Sequence, residues 1–150
     1  MKSAILTILL SMAPVIELRG GIPFGVSQGL SPLEAAFFAV IGNLLPIPFL
    51  VVFTGKVFSY LKKRSERLEN FVKRLEAKAD KNKEMVLKYE FIGLVILVAI
   101  PLPGTGAWTG ALVSAVMEMK LNKSMPAITL GVIIAAIIVT SITYGVSAIV

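Results

Sequence analysis

The chain has no cysteine and no histidine. The first absence excludes a disulfide framework, a thiolate metal site and a cysteine nucleophile. The second removes the commonest general base and the commonest metal ligand. No two carboxylates share a Gly/Pro turn, so little is left for acid–base or nucleophilic chemistry. The sequence does not read as an enzyme and calls for no cofactor and no metal. Charge is scarce too, at 16% of residues, and it is crowded. Residues 62–88 hold ten of the 15 Lys and Arg, and residues 66–90 hold six of the nine acids. That basic stretch carries no aromatic stripe and is diluted by its own acids, so the net charge of +6 does not point to nucleic acid.

What the chain has is apolar length. It is 56% hydrophobic with a mean hydropathy of +0.85, too greasy for a water-soluble domain of 150 residues. Length allows one domain, and the pattern along it is apolar, charged, apolar. Two apolar runs, 4–13 and 91–100, are too short to span a bilayer, which takes about 20 residues. Each stops at a Pro/Gly-rich motif. The first is Pro14-Val15-Ile16-Glu17-Leu18-Arg19-Gly20-Gly21-Ile22-Pro23. The second is Pro101-Leu102-Pro103-Gly104-Thr105-Gly106-Ala107-Trp108-Thr109-Gly110. Interrupted apolar segments at matching places in two halves are the best sequence pointer to a transporter's binding site. The N-terminal run is not expected to be a cleaved leader, because no small-residue cleavage site follows and Pro14 and Glu17 come too early.

These features predict an all-α integral membrane fold. It is an inverted repeat of a re-entrant helical hairpin plus a transmembrane helix, with a cytoplasmic amphipathic linker. The first repeat is 1–61, with a hairpin over 4–30 that turns at 14–23 and a span over 33–61. The second is 91–150, with a hairpin over 91–123 that turns at 101–110 and a span over 126–150. Ser31-Pro32-Leu33-Glu34 is a strong helix start: a serine cap, proline at the first turn and glutamate to close a capping box. Gly42, Asn43, Pro46 and Pro48 interrupt the middle of the first span. In the linker 62–90, Leu68, Phe71, Val72, Leu75 and Ala79 recur every three or four residues, as on an amphipathic helix. A hairpin returns to its own side and a span crosses, so the two hairpins enter from opposite faces. The positive-inside rule then makes the linker cytoplasmic and leaves both termini outside a plasma membrane. Four ordinary spans would instead put Glu17 and Arg19 at mid-membrane on a lipid-exposed helix, which is costly.

Irregular backbone at membrane depth must be buried in protein or line a watery cavity. The expected substrate site is therefore where the two turns meet: Glu17, Arg19, Gly20, Gly21 and Pro23 from the first, and Pro101, Pro103, Gly104, Thr105, Gly106, Trp108, Thr109 and Gly110 from the second. The N-terminus of a returning helix offers free N–H groups to an anion. Arg19 suits a phosphate or carboxylate. Glu17, in a low-dielectric cavity, is the candidate proton carrier. The alternative is that both charges serve the turns, pairing with each other or across the hairpins. Asn43, mid-span before Pro46, either binds ligand or satisfies carbonyls freed by the kink. Two spans and two hairpins in so small a chain bury little surface alone, which points to a homodimer or larger assembly.

On the two motifs, the chain resembles the small multidrug export protein family of prokaryotes, which is distantly similar to the DedA/VTT membrane proteins. The resemblance covers nearly the whole length. It implies the same inverted core of hairpin plus span. It also implies, from the DedA-like side, movement of polyprenyl-phosphate or phospholipid across a membrane. The second turn here has no charge, unlike the DedA pattern. Three functions follow as expectations. The first is a secondary transporter or flippase for an amphipathic anion such as a lipid phosphate, with Glu17 exchanging a proton. The second is an exporter of small cationic drugs by proton antiport, with Glu17 as the cation site. The third is a membrane scaffold that transports nothing. The expected partners are the lipid bilayer, that substrate and a second copy of the chain.

Overall fold

The structure is a computed structural model. It describes residues 1–62, 66, 69, 70, 73, 74, 77, 91–102, 104–117 and 119–147. Among these all regular structure is helical. The helices are α1 Lys2–Met12, α2 Glu17–Ser27, α3 Pro32–Leu44, α4 Ile47–Lys62, α5 Phe91–Ala99, α6 Ala107–Val116 and α7 Leu121–Ser147. Most of the 62–90 linker, Pro103 and Glu118 lie outside the described residues. In the part of the linker that is described, Lys73 Nζ sits 2.6 Å from Glu69, an i,i+4 pair on an exposed helical face.

The start of α3 follows from its first four residues. The Ser31 hydroxyl accepts from the Glu34 N–H (3.3 Å), and the Glu34 carboxylate accepts from the Ser31 N–H (2.9 Å), so the capping box closes in both directions. Ser31→Ala removes the hydroxyl half of this cap. The unfolding midpoint is expected to fall by a few degrees, read by thermal unfolding in detergent.

The span expected over 33–61 is broken. Helix α3 ends at Leu44, Leu45 and Pro46 form a turn, and α4 begins at Ile47. The reason is covalent. Pro46 and Pro48 have no N–H, so the carbonyls of Gly42 and Leu44 receive no i→i+4 bond, and the pyrrolidine rings crowd the preceding turn. Counted through the break, Pro32–Thr54 is one of two segments long and apolar enough to cross a membrane; Leu121–Gly145 is the other.

Helix starts differ from the sequence expectation in three places. Helix α2 begins at Glu17 and α6 at Ala107, so the turns are confined to 13–16 and 100–106 and most of each motif is helical. Glycines that read as turn residues are packing residues instead. A Cβ on Gly21 would lie 1.9 Å from Ser11 Oγ, and one on Gly110 would lie 2.6 Å from Val98. Helix α7 starts at Leu121, five residues before the expected Pro126, which is carried inside it.

Packing closes around α3 and α7. Helices α1 and α2 lie on each other and on α3, while α5 and α6 lie on each other and on α7. Across the molecule α2 touches α7, α6 lies against α4, and α3 meets α7. The core they share includes Ile22, Ala35, Ala39, Leu94, Ile128 and Val132. Polarity is distributed in the opposite sense to a water-soluble domain. Thr7, Ser11, Glu17, Asn43, Thr109 and Ser114 are buried, whereas Leu33, Phe37, Phe49, Phe53, Ile137 and Ile142 are exposed. An outer surface so apolar, around an interior that holds the polar groups, is built for lipid as its solvent.

Candidate functional site

The turns at 13–16 and 100–106 face one another, and each supplies what the other's helix ends lack. A helix terminus leaves N–H or C=O groups without intrahelical partners, and away from water these must be met by something else. Here that something comes from the opposite hairpin. The α6 N-terminus presents the Trp108 N–H, and Glu17 Oε1 accepts it at 3.2 Å across 91 residues of sequence. The α5 C-terminus presents the Ile100 and Leu102 carbonyls. The Arg19 guanidinium donates to both, at 3.3 Å to Ile100 O, and to Thr105 Oγ1 at 2.9 Å. The last carbonyl of α1, Met12 O, accepts from the Trp108 indole Nε1 at 3.2 Å. Charge signs suit these places: a carboxylate sits at the positive end of α6 and a guanidinium at the negative end of α5.

The backbone is bent to permit this. Glu17 is the one described non-glycine residue with positive φ, +48°, a left-handed conformation that costs an L-residue about 1–2 kcal/mol. Its side chain is 4% exposed. Gly106, at φ +118° and ψ −172°, adopts a conformation open essentially to glycine alone. A Cβ there would also fall 2.1 Å from Glu17 Oε2. The carboxylate thus fits against bare backbone.

Thr105 organises the second turn. Its hydroxyl lies 2.6 Å from Ile100 O and 2.8 Å from Leu102 O, and it accepts from the Leu102 N–H at 3.2 Å as well as from Arg19. Thr109 Oγ1 donates to Gly104 O at 2.9 Å and holds the turn to α6. Of the remaining expected site residues, Pro101 and the exposed Gly104 lie within this turn. Gly20 packs on Ile16, with a Cβ 2.5 Å from its Cγ2, and Pro23 is exposed on α2. Gly21 and Gly110 serve helix–helix approach as described above. Asn43, in the last turn of α3 before the α3–α4 break, is buried, and its Oδ1 makes no hydrogen bond to this group. Pro103 lies outside the described residues.

Two features escaped the sequence reading. Arg19 at Ile100 and Leu102, and the Trp108 indole at Met12, meet main-chain carbonyls, which no side-chain pattern reveals. Ser11 and Ser114 are buried with no partner for their hydroxyls; their only signal was a polar letter inside an apolar run. Gly25-Val26-Ser27-Gln28-Gly29 has the lettering of a nucleophile elbow, but Ser27 Oγ donates to Phe24 O at 2.7 Å at the end of α2, and the chain has no histidine to serve as its base.

The helices and their polar interior define an integral membrane protein, all-helical in its described residues. The chain belongs to the family described as "Putative small multi-drug export protein", whose sequence model matches residues 17–138. That match begins where α2 begins and takes in the turn at 100–106, the whole of Pro32–Thr54 and residues 121–138 of the second long apolar segment. Comparison with curated proteins and with solved structures found no match.

Proposed function

We propose that the chain is a proton-coupled secondary transporter that exports small amphipathic cations through the junction of its two turns. The observation that carries this reading is Glu17: a buried carboxylate on strained backbone, bonded to the opposite hairpin at the Trp108 N–H. Ionised, it caps α6 and holds the turns together. Protonated, it is a weaker acceptor, and the turns are free to part. A cation that takes the carboxylate competes with that cap, so substrate and proton exclude one another, as antiport requires. Among the described residues Arg19 makes no ion pair with Glu17; its guanidinium donates to Ile100 O, Leu102 O and Thr105 Oγ1, which holds it on the second turn.

The expected membrane arrangement goes with this function. Helices α1, α2, α5 and α6 have 11, 11, 9 and 10 residues. At 1.5 Å per residue each is about half the roughly 30 Å of a hydrocarbon core, so we read the two pairs as re-entrant hairpins. The packing of α1 on α3 has its counterpart in that of α5 on α7, as an inverted repeat expects, while α6 lies chiefly against α4 and less against α7. The positive-inside rule keeps the linker cytoplasmic and the termini outside.

A second reading, a flippase for a lipid phosphate, draws on a different feature. An open groove of about 360 Å³ between α3 and α7 is lined by Leu33, Phe37, Val40, Ile133 and Ile137, a surface suited to an acyl chain. Proteoliposomes separate the two readings. With an imposed proton gradient, the wild type is expected to move ethidium. Glu17→Gln keeps an oxygen for the Trp108 N–H but carries no proton, and is expected to slow gradient-driven efflux at least about tenfold. Gradient-driven efflux at the wild-type rate in this variant overturns the role given to Glu17. Exposure of labelled phospholipid headgroups without any dye transport favours the flippase. We also read the protein as a homodimer, for which native mass spectrometry in mild detergent gives the check.

A further inference from the structure

The α3–α4 break holds a polar group that the turn junction does not use. Asn43 is 1% exposed, and its Oδ1 has no hydrogen-bond partner. A buried amide oxygen without a partner costs about 1–3 kcal/mol, so such a group in a native core calls for an occupant. The residues on either side of Asn43 offer more oxygens. Pro46 and Pro48 leave the Gly42 and Leu44 carbonyls without their helical N–H partners. Against the same residue, the α1 backbone comes unusually close: a Cβ on Gly42 would lie 2.2 Å from Ile8 O. Every one of these groups is a neutral oxygen. They gather where α3 ends, and that end carries the negative pole of the helix dipole.

We propose that this break is a binding site for a monovalent alkali cation, sodium in the first instance, held by Asn43 Oδ1 and the Gly42 carbonyl, with the Leu44 carbonyl beside them. Hard cations take oxygen ligands. A divalent ion needs carboxylates to balance its charge in an apolar interior. No group of three or more Asp, Glu, His or Cys able to hold a metal exists among the described residues, so the donor set selects single charge. Free carbonyls and amide oxygens at a helix broken near mid-membrane are the donors that sodium sites in discontinuous transporter helices use. None of the proposed ligands is the Glu17 carboxylate, and the proposal does not depend on the role given to that residue.

The test is binding of radiolabelled sodium to the full chain in detergent, by scintillation proximity, with choline chloride holding ionic strength constant. The wild type is expected to bind saturably, with unlabelled sodium displacing the label. Asn43→Ala removes the side-chain oxygen and is expected to weaken binding at least about tenfold. Pro46→Ala removes no ligand atom but restores an N–H to the Gly42 carbonyl. It is expected to weaken binding by about threefold or more while the protein stays monodisperse, so loss of binding is not confused with loss of fold. No saturable binding to the wild type overturns the proposal and leaves the amide to water. Wild-type affinity in Asn43→Ala overturns it equally. Because the readout is binding and not transport, neither result touches the reading of Glu17.

Discussion

Arg19→Ala is expected to lower folding stability by about 3–5 kcal/mol. The guanidinium serves three acceptors on the second turn: Ile100 O, Leu102 O and Thr105 Oγ1. A hydrogen bond to a charged group contributes about 1.5–3 kcal/mol, so three of them would exceed the expected loss. The total is reduced because Arg19 is partly exposed and the 100–106 turn can relax. What is left is large because the acceptors close a helix end among apolar side chains. Lysine is a poor substitute, since its three donors radiate from one nitrogen and lack the planar fork that spans a carbonyl pair and a hydroxyl. Arg19→Lys is therefore expected to recover less than half of the loss. Thr105→Val tests the network from the other side. Its effect and that of Arg19→Ala should fall short of additive by about 0.5–3 kcal/mol, because each removes part of the same bonds. Denaturant titration in mixed micelles reads all three. A cost below about 1 kcal/mol for Arg19→Ala would return the guanidinium to the role first read for it, a site held open for substrate.

The sequence announced where chemistry sits better than what occupies it. The capping box at Ser31 and Glu34 was legible because both partners lie within one helical turn. The α3–α4 break was legible because proline lacks an N–H wherever it stands. The facing of the two motifs was legible as two Gly/Pro interruptions in apolar runs. The partners were not. The bond from Trp108 to Glu17 joins residues 91 apart, and that from Arg19 to Leu102 joins residues 83 apart. Each meets a main-chain group whose need arises only once a helix has ended there. Of the two helix N-termini expected to receive an anionic substrate, that of α6 is already capped by the chain's own carboxylate. Turn limits were misjudged for a related reason. Gly20, Gly21 and Gly110 carry the composition of a turn, yet their small size serves contacts with Ile16, Ser11 and Val98 made by folded helices. Composition alone does not separate a glycine that bends the chain from one that lets another helix approach.

Gly106→Ala brings the two halves of the junction into direct conflict, and is expected to cost about 3–5 kcal/mol. Two independent causes add. At φ +118° and ψ −172° the backbone lies where a Cβ is strained by about 1–3 kcal/mol, whatever space surrounds it. The new methyl also falls 2.1 Å from Glu17 Oε2, so the carboxylate must leave and its bond to the Trp108 N–H breaks. A charged hydrogen bond lost at a helix N-terminus accounts for about 1.5–3 kcal/mol more. The causes separate in a cycle with Glu17→Ala. If the carboxylate is what the methyl strikes, Gly106→Ala costs less on the Glu17→Ala background than on the wild type, and only the backbone strain remains. Strictly additive effects would mean that the methyl and the carboxylate never meet, and that the contact between Gly106 and Glu17 is not part of the folded protein in solution. The same cycle bears on transport. A junction whose cap is expelled by a methyl cannot be closed by Glu17, so Gly106→Ala in proteoliposomes is expected to leak substrate without regard to the proton gradient, whereas Glu17→Gln, which retains an acceptor for Trp108, stays closed.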